Sequence, residues 1–349
     1  MQVDSNQFDV AKLAAYLTGH VEGFRGPMTV DKFAGGQSNP TFLLKAHSGN
    51  YVLRRQPPGQ LLKSAHAVDR EFRVLSALAN TGVPVARAFH LCEDREVIGS
   101  MFYVMSYEAG RIFWDPALPE IAVEQRATYY DAILRSMAAM HDVDVAAVGL
   151  GDYGRPGNYF ERQIGVWTKQ YRAAETERLE AMETLIEWLP ANCPAAGDHP
   201  ALVHGDFRID NMIFHPEKPE VIAILDWELS TLGDPLADFA YFCMCLRLPA
   251  DGYIPGLMGR NRRELGIPDE AEMVRRYCEL RGIPEIAHWN FYLAFSFFRL
   301  AAIAQGVKKR AIDGNASSAQ ALKVGELVVP LSRLGVALAE GHGDGVGTA

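Results

Sequence analysis

Two carboxylates and an amide stand at spacings that suit joint chemistry: Asp206 in the run His204-Gly205-Asp206, Asn211 five positions on, and Asp226 beyond the next turn. Apolar Leu202 and Val203 lead into this run, and residues 212–214 resume an apolar stretch. Pro216-Glu217-Lys218-Pro219 can only turn, and 221–225 is β-branched enough to return as the partner strand. Such a hairpin is expected to bring Asp226 back beside Asn211, with Asp206 joining them at one end of a small sheet. Phosphoryl transfer from ATP requires this inventory. A carboxylate orients and deprotonates an acceptor hydroxyl, and hard oxygen ligands hold the Mg2+ that bridges the phosphates.

The spacing His-x-Asp-x-x-x-x-Asn, with an Asp after the following hairpin, resembles the catalytic loop and metal-binding Asp of the kinase fold. Gly205 between His204 and Asp206, and Asp226-Trp227-Glu228 in place of Asp-Phe-Gly, look like the aminoglycoside phosphotransferase and choline kinase branch. The resemblance implies Asp206 as the catalytic base, Asn211 and Asp226 as metal ligands, and His204 as a scaffold for the loop. Arg208 falls where protein kinases keep a lysine against the γ-phosphate. The resemblance covers nearly the whole chain. Gly35-Gly36-Gln37-Ser38-Asn39, Tyr51-Val52-Leu53-Arg54-Arg55, Ser64-Ala65-His66-Ala67-Val68 and Gln305-Gly306-Val307 bring it nearest to the kinase-like domain fused to, or encoded beside, acyl-CoA dehydrogenases.

In that branch the implied acceptor is a hydroxyacyl-CoA or hydroxy acid, whose phosphorylated hydroxyl becomes a leaving group. A functional association with an acyl-CoA dehydrogenase is implied as well. The chain has no second, flavin-binding helical domain, so it is not expected to be a dehydrogenase itself. Arg299, in an apolar helix, needs a partner, an anionic ligand or an escape to the surface. With Lys308, Lys309 and Arg310 it is expected to meet an anionic acyl-CoA.

The resemblance implies an α+β, bilobal, protein-kinase-like fold. An N-terminal nucleotide-binding lobe (1–108) is expected to hold a five-stranded antiparallel sheet, with strands at 28–33, 41–46, 51–55, 85–91 and 97–105. A helix over 64–79 should accompany it, with Val68, Phe72 and Leu75 on its apolar face and Glu71 at the edge. Gly35, Gly36, Gln37, Ser38 and Asn39 form a turn whose backbone amides can approach phosphate closely. Strand alternation puts Val52 and Arg54 on one face, the nucleotide face of the resembled fold. Arg54 stands where the family pattern has lysine, and Glu71 is placed to pair with it. A planar fork can grip two phosphate oxygens but needs more room than a point charge. Met105, Ser106 and Glu108 begin the linker, and the resemblance implies that the Ser106 carbonyl and Glu108 amide hold the adenine edge.

The C-terminal catalytic and acceptor-binding lobe (109–349) should be mainly α-helical around the small catalytic hairpin. Its helices are expected at 121–141, 159–173, 176–189, 239–248, 269–281, 286–306 and 315–340. Too few residues separate Asp226 from the helix at 239 for an activation loop, and no Ala-Pro-Glu follows, which disfavours a protein kinase. Asp238 braces the catalytic loop or caps a helix.

No apolar run approaches the roughly 18 residues of a membrane span, and the polar opening is not a signal peptide, so a cytoplasmic protein with no membrane partner is expected. The five cysteines show no zinc spacing. Net charge is −9: residues 1–108 carry 11 Lys and Arg against 10 Asp and Glu, and the rest 23 against 33. That balance disfavours nucleic acid. The acidic second lobe suits an amine-bearing acceptor, so an amino-alcohol or aminoglycoside kinase is the alternative. A nucleotide-binding pseudokinase that regulates a partner is a further one, resting on Arg54. ATP and GTP are not distinguished.

Overall fold

The computed structural model describes residues 8–33, 39–57, 67–155, 157–197, 200–314 and 321–342. The chain begins with α1 (Val10–His20), capped by the Asp9 carboxylate, which accepts from the Ala11 and Lys12 amides at 2.9 and 3.0 Å. There follow β1 (Met28–Lys32), β2 (Thr41–Ala46), β3 (Gly49–Arg55), α2 (Val68–Leu78), β4 (Ala88–Cys92) and β5 (Phe102–Ser106). These strands form one antiparallel sheet in the order β1-β2-β3-β5-β4. Leu13 and Leu17 of α1 pack with Phe42, Leu44, Leu53, Phe102 and Val104 into one core.

Two local expectations are corrected here. Residues 97–101 are not strand: Gly99, at φ 85, bonds back to the Arg95 carbonyl at 2.7 Å, which curls Val97 and Ile98 into the core as a turn. On α2 it is Glu71, not Phe72, that lies on the buried face with Val68, Val74, Leu75 and Leu78.

The chain continues through α3 (Val123–His141), α4 (Tyr159–Ala174), α5 (Glu180–Ala191), β6 (Ala201–Val203), β7 (Met212–Phe214), β8 (Val221–Ile224) and β9 (Thr231–Gly233). It closes with α6 (Leu236–Leu246), α7 (Glu270–Arg281), α8 (Trp289–Ile312), α9 (Ala321–Glu326) and α10 (Val328–Ala339). The single helix expected over 315–340 is interrupted at Leu327, and α8 runs past Gly306 into a basic last turn, Lys309 and Arg310, that suits the helix C-terminus. α8 is buried on every side from Phe291 to Ala302 and packs against α4, α5, α6, α9 and α10. Among the described residues no helix is long and apolar enough to cross a membrane.

By contact the chain divides into two units. The first is Met1–Ile112 with Ala146–Leu150 and Asn211–Ser230, and the second comprises Phe113–Val145, Gly151–Asp210 and Thr231–Ala349. The first unit therefore extends past residue 108 and takes the β7-β8 hairpin with it, although the sequence places that hairpin in the second lobe. The reason is hydrogen bonding: Arg111 and Phe214 exchange two backbone bonds of 2.8 Å, and the Ile224 amide donates to the Pro84 carbonyl at 2.9 Å. Arg73 likewise donates to the Gly149 carbonyl at 2.8 Å, drawing in 146–150.

Close approach at this seam leaves no room for a side chain at Gly110, where a Cβ would lie 2.3 Å from the Phe214 oxygen. Gly110→Ala is expected to destabilise the protein by about 1–3 kcal/mol through overpacking. A lowered urea midpoint with unchanged slope would register this.

Candidate active site

In the first unit, strand alternation and register place a charged cluster. β3 pairs with β5 so that Arg54 faces Tyr103 and Val52 faces Met105. Val52 and Met105 are 7% and 9% exposed and form apolar floor beside the charges. The Arg54 guanidinium reaches in two directions: Nε lies 2.9 Å from Glu71 Oε2, and Nη2 lies 2.5 Å from Asp226 Oδ1. Glu228 stands 3.6 Å from Nη2. Glu71 is held on both oxygens, by the Asn39 amide at 2.9 Å and the Tyr103 hydroxyl at 3.0 Å. Asn39 also approaches Glu228 at 3.5 Å. It was expected to belong to a phosphate-facing turn, but it is fully buried and its side chain serves the carboxylates. Gly35, Gly36, Gln37 and Ser38 lie outside the described residues.

The β7-β8 register does what the hairpin pattern predicts. Met212 pairs with Ile224, and the Leu225 amide donates to the Asn211 carbonyl at 2.8 Å, bringing residue 211 beside the strand end that leads to Asp226. Asp226 adopts left-handed backbone (φ 65, ψ 58) between β8 and a short turn, a conformation that Asp tolerates better than most side chains. Its carboxylate is 35% exposed.

One guanidinium thus faces three carboxylates. Burial alone would lower the Arg54 pKa, but Glu71, Asp226 and Glu228 reverse this and raise it. Burial pushes Glu71 up to about 7, opposed by Arg54 and reinforced by Asp226 and Glu228. The excess negative charge and the exposed Asp226 oxygens fit a divalent cation. Among the described residues no three His, Cys, Asp or Glu converge on a metal by themselves. Mg2+ takes one or two protein oxygens and fills its remaining positions with phosphate and water.

Because the folded pKa of Glu71 lies above its ordinary value, its contribution to stability is full in acid and declines as pH rises towards 7. In metal-free protein the stability of wild type relative to Glu71→Gln is expected to fall by about 3 kcal/mol between pH 4.5 and 7.5. Urea unfolding of both proteins across that range measures it, and parallel curves would contradict the assignment.

In the second unit, β6 pairs with β9, Val203 opposite Thr231, and the His204-Gly205-Asp206 loop leaves the end of β6. The loop is held from two sides. Asp238, 1% exposed in the first turn of α6, accepts the His204 and Gly205 amides at 2.6 and 2.8 Å and lies 3.4 Å from His141 Nε2. Burial would raise the Asp238 pKa, but the His141 contacts and the loop amides hold it below its ordinary value. Of the two readings of Asp238, the brace is the observed one. Gly205 takes φ 85, and its carbonyl accepts from Arg299 Nη2 at 2.5 Å.

His204 is fully buried, and its Nδ1 accepts the Asp206 amide at 3.2 Å. Phe207 is buried as well, so the loop turns the Asp206 carboxylate, 23% exposed, away from the core. Arg208 Nε lies 3.5 Å from Asp206 Oδ1, and its Nη2 lies 3.0 Å from Asp210 Oδ2. These two carboxylates raise the Arg208 pKa despite the opposing effect of burial.

Arg299 departs from expectation. It is 7% exposed, and its guanidinium packs over the rings of Trp167 at 5.5 Å and Tyr241 at 5.3 Å. Its charge is turned to the loop carbonyl and not to an open surface. Lys308 and Lys309 pair with Glu177 at 2.8 Å and Asp313 at 2.5 Å. Ser106 and Glu108 are joined by a side-chain hydrogen bond, and the Ser106 hydroxyl also accepts the Arg87 amide at 2.8 Å.

Contributors that escaped the sequence reading include Glu228, Tyr103, Asp210, His141, Tyr241 and Trp167. Only Glu228 carried a signal, as a second acid two places after Asp226.

Comparison with known proteins shows the family and the fold. Residues 29–276 match the model of the phosphotransferase enzyme family. A crystal structure of a putative aminoglycoside phosphotransferase from Ralstonia eutropha JMP134 is 50% identical, covers 96% of this chain and 99% of its own, and superposes with a TM-score of 0.89. The APH(4)-Ia aminoglycoside phosphotransferase, in a ternary complex with ADP and hygromycin B, shares the fold at a TM-score of 0.60 and 14% identity, covering 99% of this chain and 100% of its own. Mouse acyl-CoA dehydrogenase family member 10 is 51% identical over 88% of this chain and 29% of its own length. The chain spans 29% to 44% of the curated relatives it matches. It belongs to the phosphotransferase enzyme family.

Proposed function

We propose that the protein transfers the γ-phosphate of ATP to the hydroxyl of a small-molecule acceptor, a hydroxyacyl-CoA or related hydroxy acid. One observation carries the reading: a single guanidinium, Arg54, pairs with both the helix carboxylate Glu71 and the hairpin carboxylate Asp226. An arginine thereby takes the place of the lysine of kinase-fold enzymes, with two of its nitrogens already committed.

Asp206 accepts the proton of the acceptor hydroxyl. Its loop is fixed by Asp238 and Arg299, so the carboxylate reorganises little during the reaction. Arg208, beside Asp206, faces the transferring phosphoryl group. Asn211 and Asp226 would hold Mg2+, which neutralises charge on the β- and γ-phosphates when bound. Val52 and Met105 line the base, and the backbone at Ser106 and Glu108 receives its polar edge.

The acceptor assignment is supported by the relatives named as acyl-CoA dehydrogenase family members, in which this region accompanies a longer chain. The dehydrogenase name is attributed to those whole proteins, and a functional association with such an enzyme is part of the proposal. The competing reading, a pseudokinase, rests on arginine standing at position 54 in place of the lysine.

A mass screen with Mg2+ and ATP over hydroxyacyl-CoAs, amino alcohols, sugars and aminoglycosides tests both. A hydroxyacyl-CoA is expected to gain one phosphate. Product only from amine-bearing acceptors would replace the acceptor class, and nucleotide binding without product anywhere would establish the pseudokinase.

A further inference from the structure

Arg299, on α8, is a buried cation with which no Asp or Glu among the described residues forms an ion pair. The helix around it is buried from Phe291 to Ala302. A buried charge lacking a counter-charge costs stability, and such breaches of the packing rules gather at functional sites. The guanidinium has instead one carbonyl and two aromatic rings. Its Nη2 donates to the Gly205 oxygen at 2.5 Å, and its carbon lies 5.5 Å from the Trp167 ring of α4 and 5.3 Å from the Tyr241 ring of α6. Both distances fall where a cation is attracted to a ring face. Its Nε is buried with no hydrogen-bond partner among the described residues. All of these residues belong to the second unit.

The carbonyl that Arg299 holds is half of the peptide joining Gly205 to Asp206. The other half, the Asp206 amide, donates to His204 Nδ1 at 3.2 Å. A peptide is planar, so tying both of its polar ends fixes the bond that leads into Asp206, from which the carboxylate departs. Asp238 binds the His204 and Gly205 amides, which belong to the two preceding peptides. Arg299 therefore adds a hold on the peptide next to the carboxylate. A single hydrogen bond leaves the guanidinium free to turn about it, and the two ring faces remove that freedom.

We propose that Trp167 and Tyr241 are positioning residues for phosphate transfer: their rings keep the Arg299 guanidinium on the Gly205 carbonyl and thereby aim the Asp206 carboxylate. The inference rests on Asp206 as the base proposed above, but the hold on its peptide can be measured without any transfer. Trp167 is the residue to change, because it acts through Arg299. In the full chain, Trp167→Leu is expected to lower kcat at least about tenfold, since misplacing a reacting group by about 1 Å costs on the order of 100-fold. The acceptor KM and the Kd for Mg2+-ATP should stay within about threefold of wild type, because no binding contact is removed. Trp167→Phe keeps a ring face and should return the rate to within about threefold of wild type. In nucleotide-free protein, hydrogen exchange at the Asp206 amide, read by NMR, is expected to quicken at least about tenfold in Trp167→Leu, with the amides of α6 and α8 unchanged. Arg299→Lys, which keeps the charge and loses the planar fork, should act in the same way and serves if Trp167→Leu does not fold.

An unchanged kcat in Trp167→Leu, an equally slow Trp167→Phe, or a raised acceptor KM in place of a lowered kcat overturns the proposal. So does Asp206 exchange that keeps the wild-type rate in both variants, or that quickens together with α6 and α8, the mark of a packing role. The two readings fail separately. If no acceptor is phosphorylated, the transfer reading fails, and Asp206 exchange alone decides whether the rings hold the loop. If transfer proceeds and the variants do not slow it, the positioning role alone fails.

Discussion

Asp206→Asn is expected to lower kcat by about 10²- to 10⁴-fold while leaving the Kd for Mg2+-ATP within about threefold of wild type, the range typical of losing one general base. The asymmetry follows from where Asp206 sits. Hydrogen bonds that fix its loop run through the His204 and Gly205 backbone to Asp238 and Arg299. Asn therefore keeps the loop and removes only the proton acceptor and its charge. Arg208 loses one of its two carboxylate neighbours but retains Asp210 at 3.0 Å. Steady-state rates with the best acceptor, alongside calorimetric nucleotide binding, separate the effects. Equal losses in both would place Asp206 in nucleotide binding, contrary to its assignment as base.

Asp226→Asn is expected to weaken Mg2+-ATP binding by at least about 100-fold and to abolish measurable turnover, because a metal site contributes several kcal/mol of charge stabilisation. Asn is the informative substitution. At φ 65 it shares the tolerance of Asp for left-handed backbone, so the hairpin end is preserved and the charge alone is lost. Asp226→Ala would add backbone strain of about 1–2 kcal/mol and confuse the two effects. Arg54 retains Glu71 at 2.9 Å and Glu228 at 3.6 Å in either variant. Nucleotide binding in EDTA should be nearly the same for wild type and Asp226→Asn. A large difference without metal would show that Asp226 acts only through Arg54.

The β7-β8 hairpin was legible because its signals are local. A proline-flanked turn between two apolar segments fixes its own register, and the register alone brings Asn211 and Asp226 together. The Arg54–Glu71 pair was expected from the kinase-fold resemblance, with strand alternation setting the face of Arg54, while helical spacing alone left Glu71 at the edge of the apolar face. What escaped was whatever depends on which buried polar group finds which partner. Asp238 was read as a brace for the loop or a helix cap, but nothing in its sequence surroundings chose between them or named the His204 and Gly205 amides, 34 and 33 positions earlier, as its partners. Arg299 was rightly seen as needing a partner, but its partner is a backbone carbonyl, and a carbonyl carries no mark in a sequence. Val97 and Ile98 have the composition of a strand and are buried like one. Gly99 decided their backbone instead, through a left-handed turn compatible with the same burial.

Phosphorus NMR of wild-type protein mixed with Mg2+, ATP and a hydroxyacyl-CoA tests phosphotransfer most directly. A new phosphate-ester resonance on the acceptor, growing in step with ADP and absent with Asp206→Asn, is the predicted result. Bound nucleotide whose γ-phosphate stays in place, or leaves only as inorganic phosphate, with every hydroxyl acceptor offered, would contradict it.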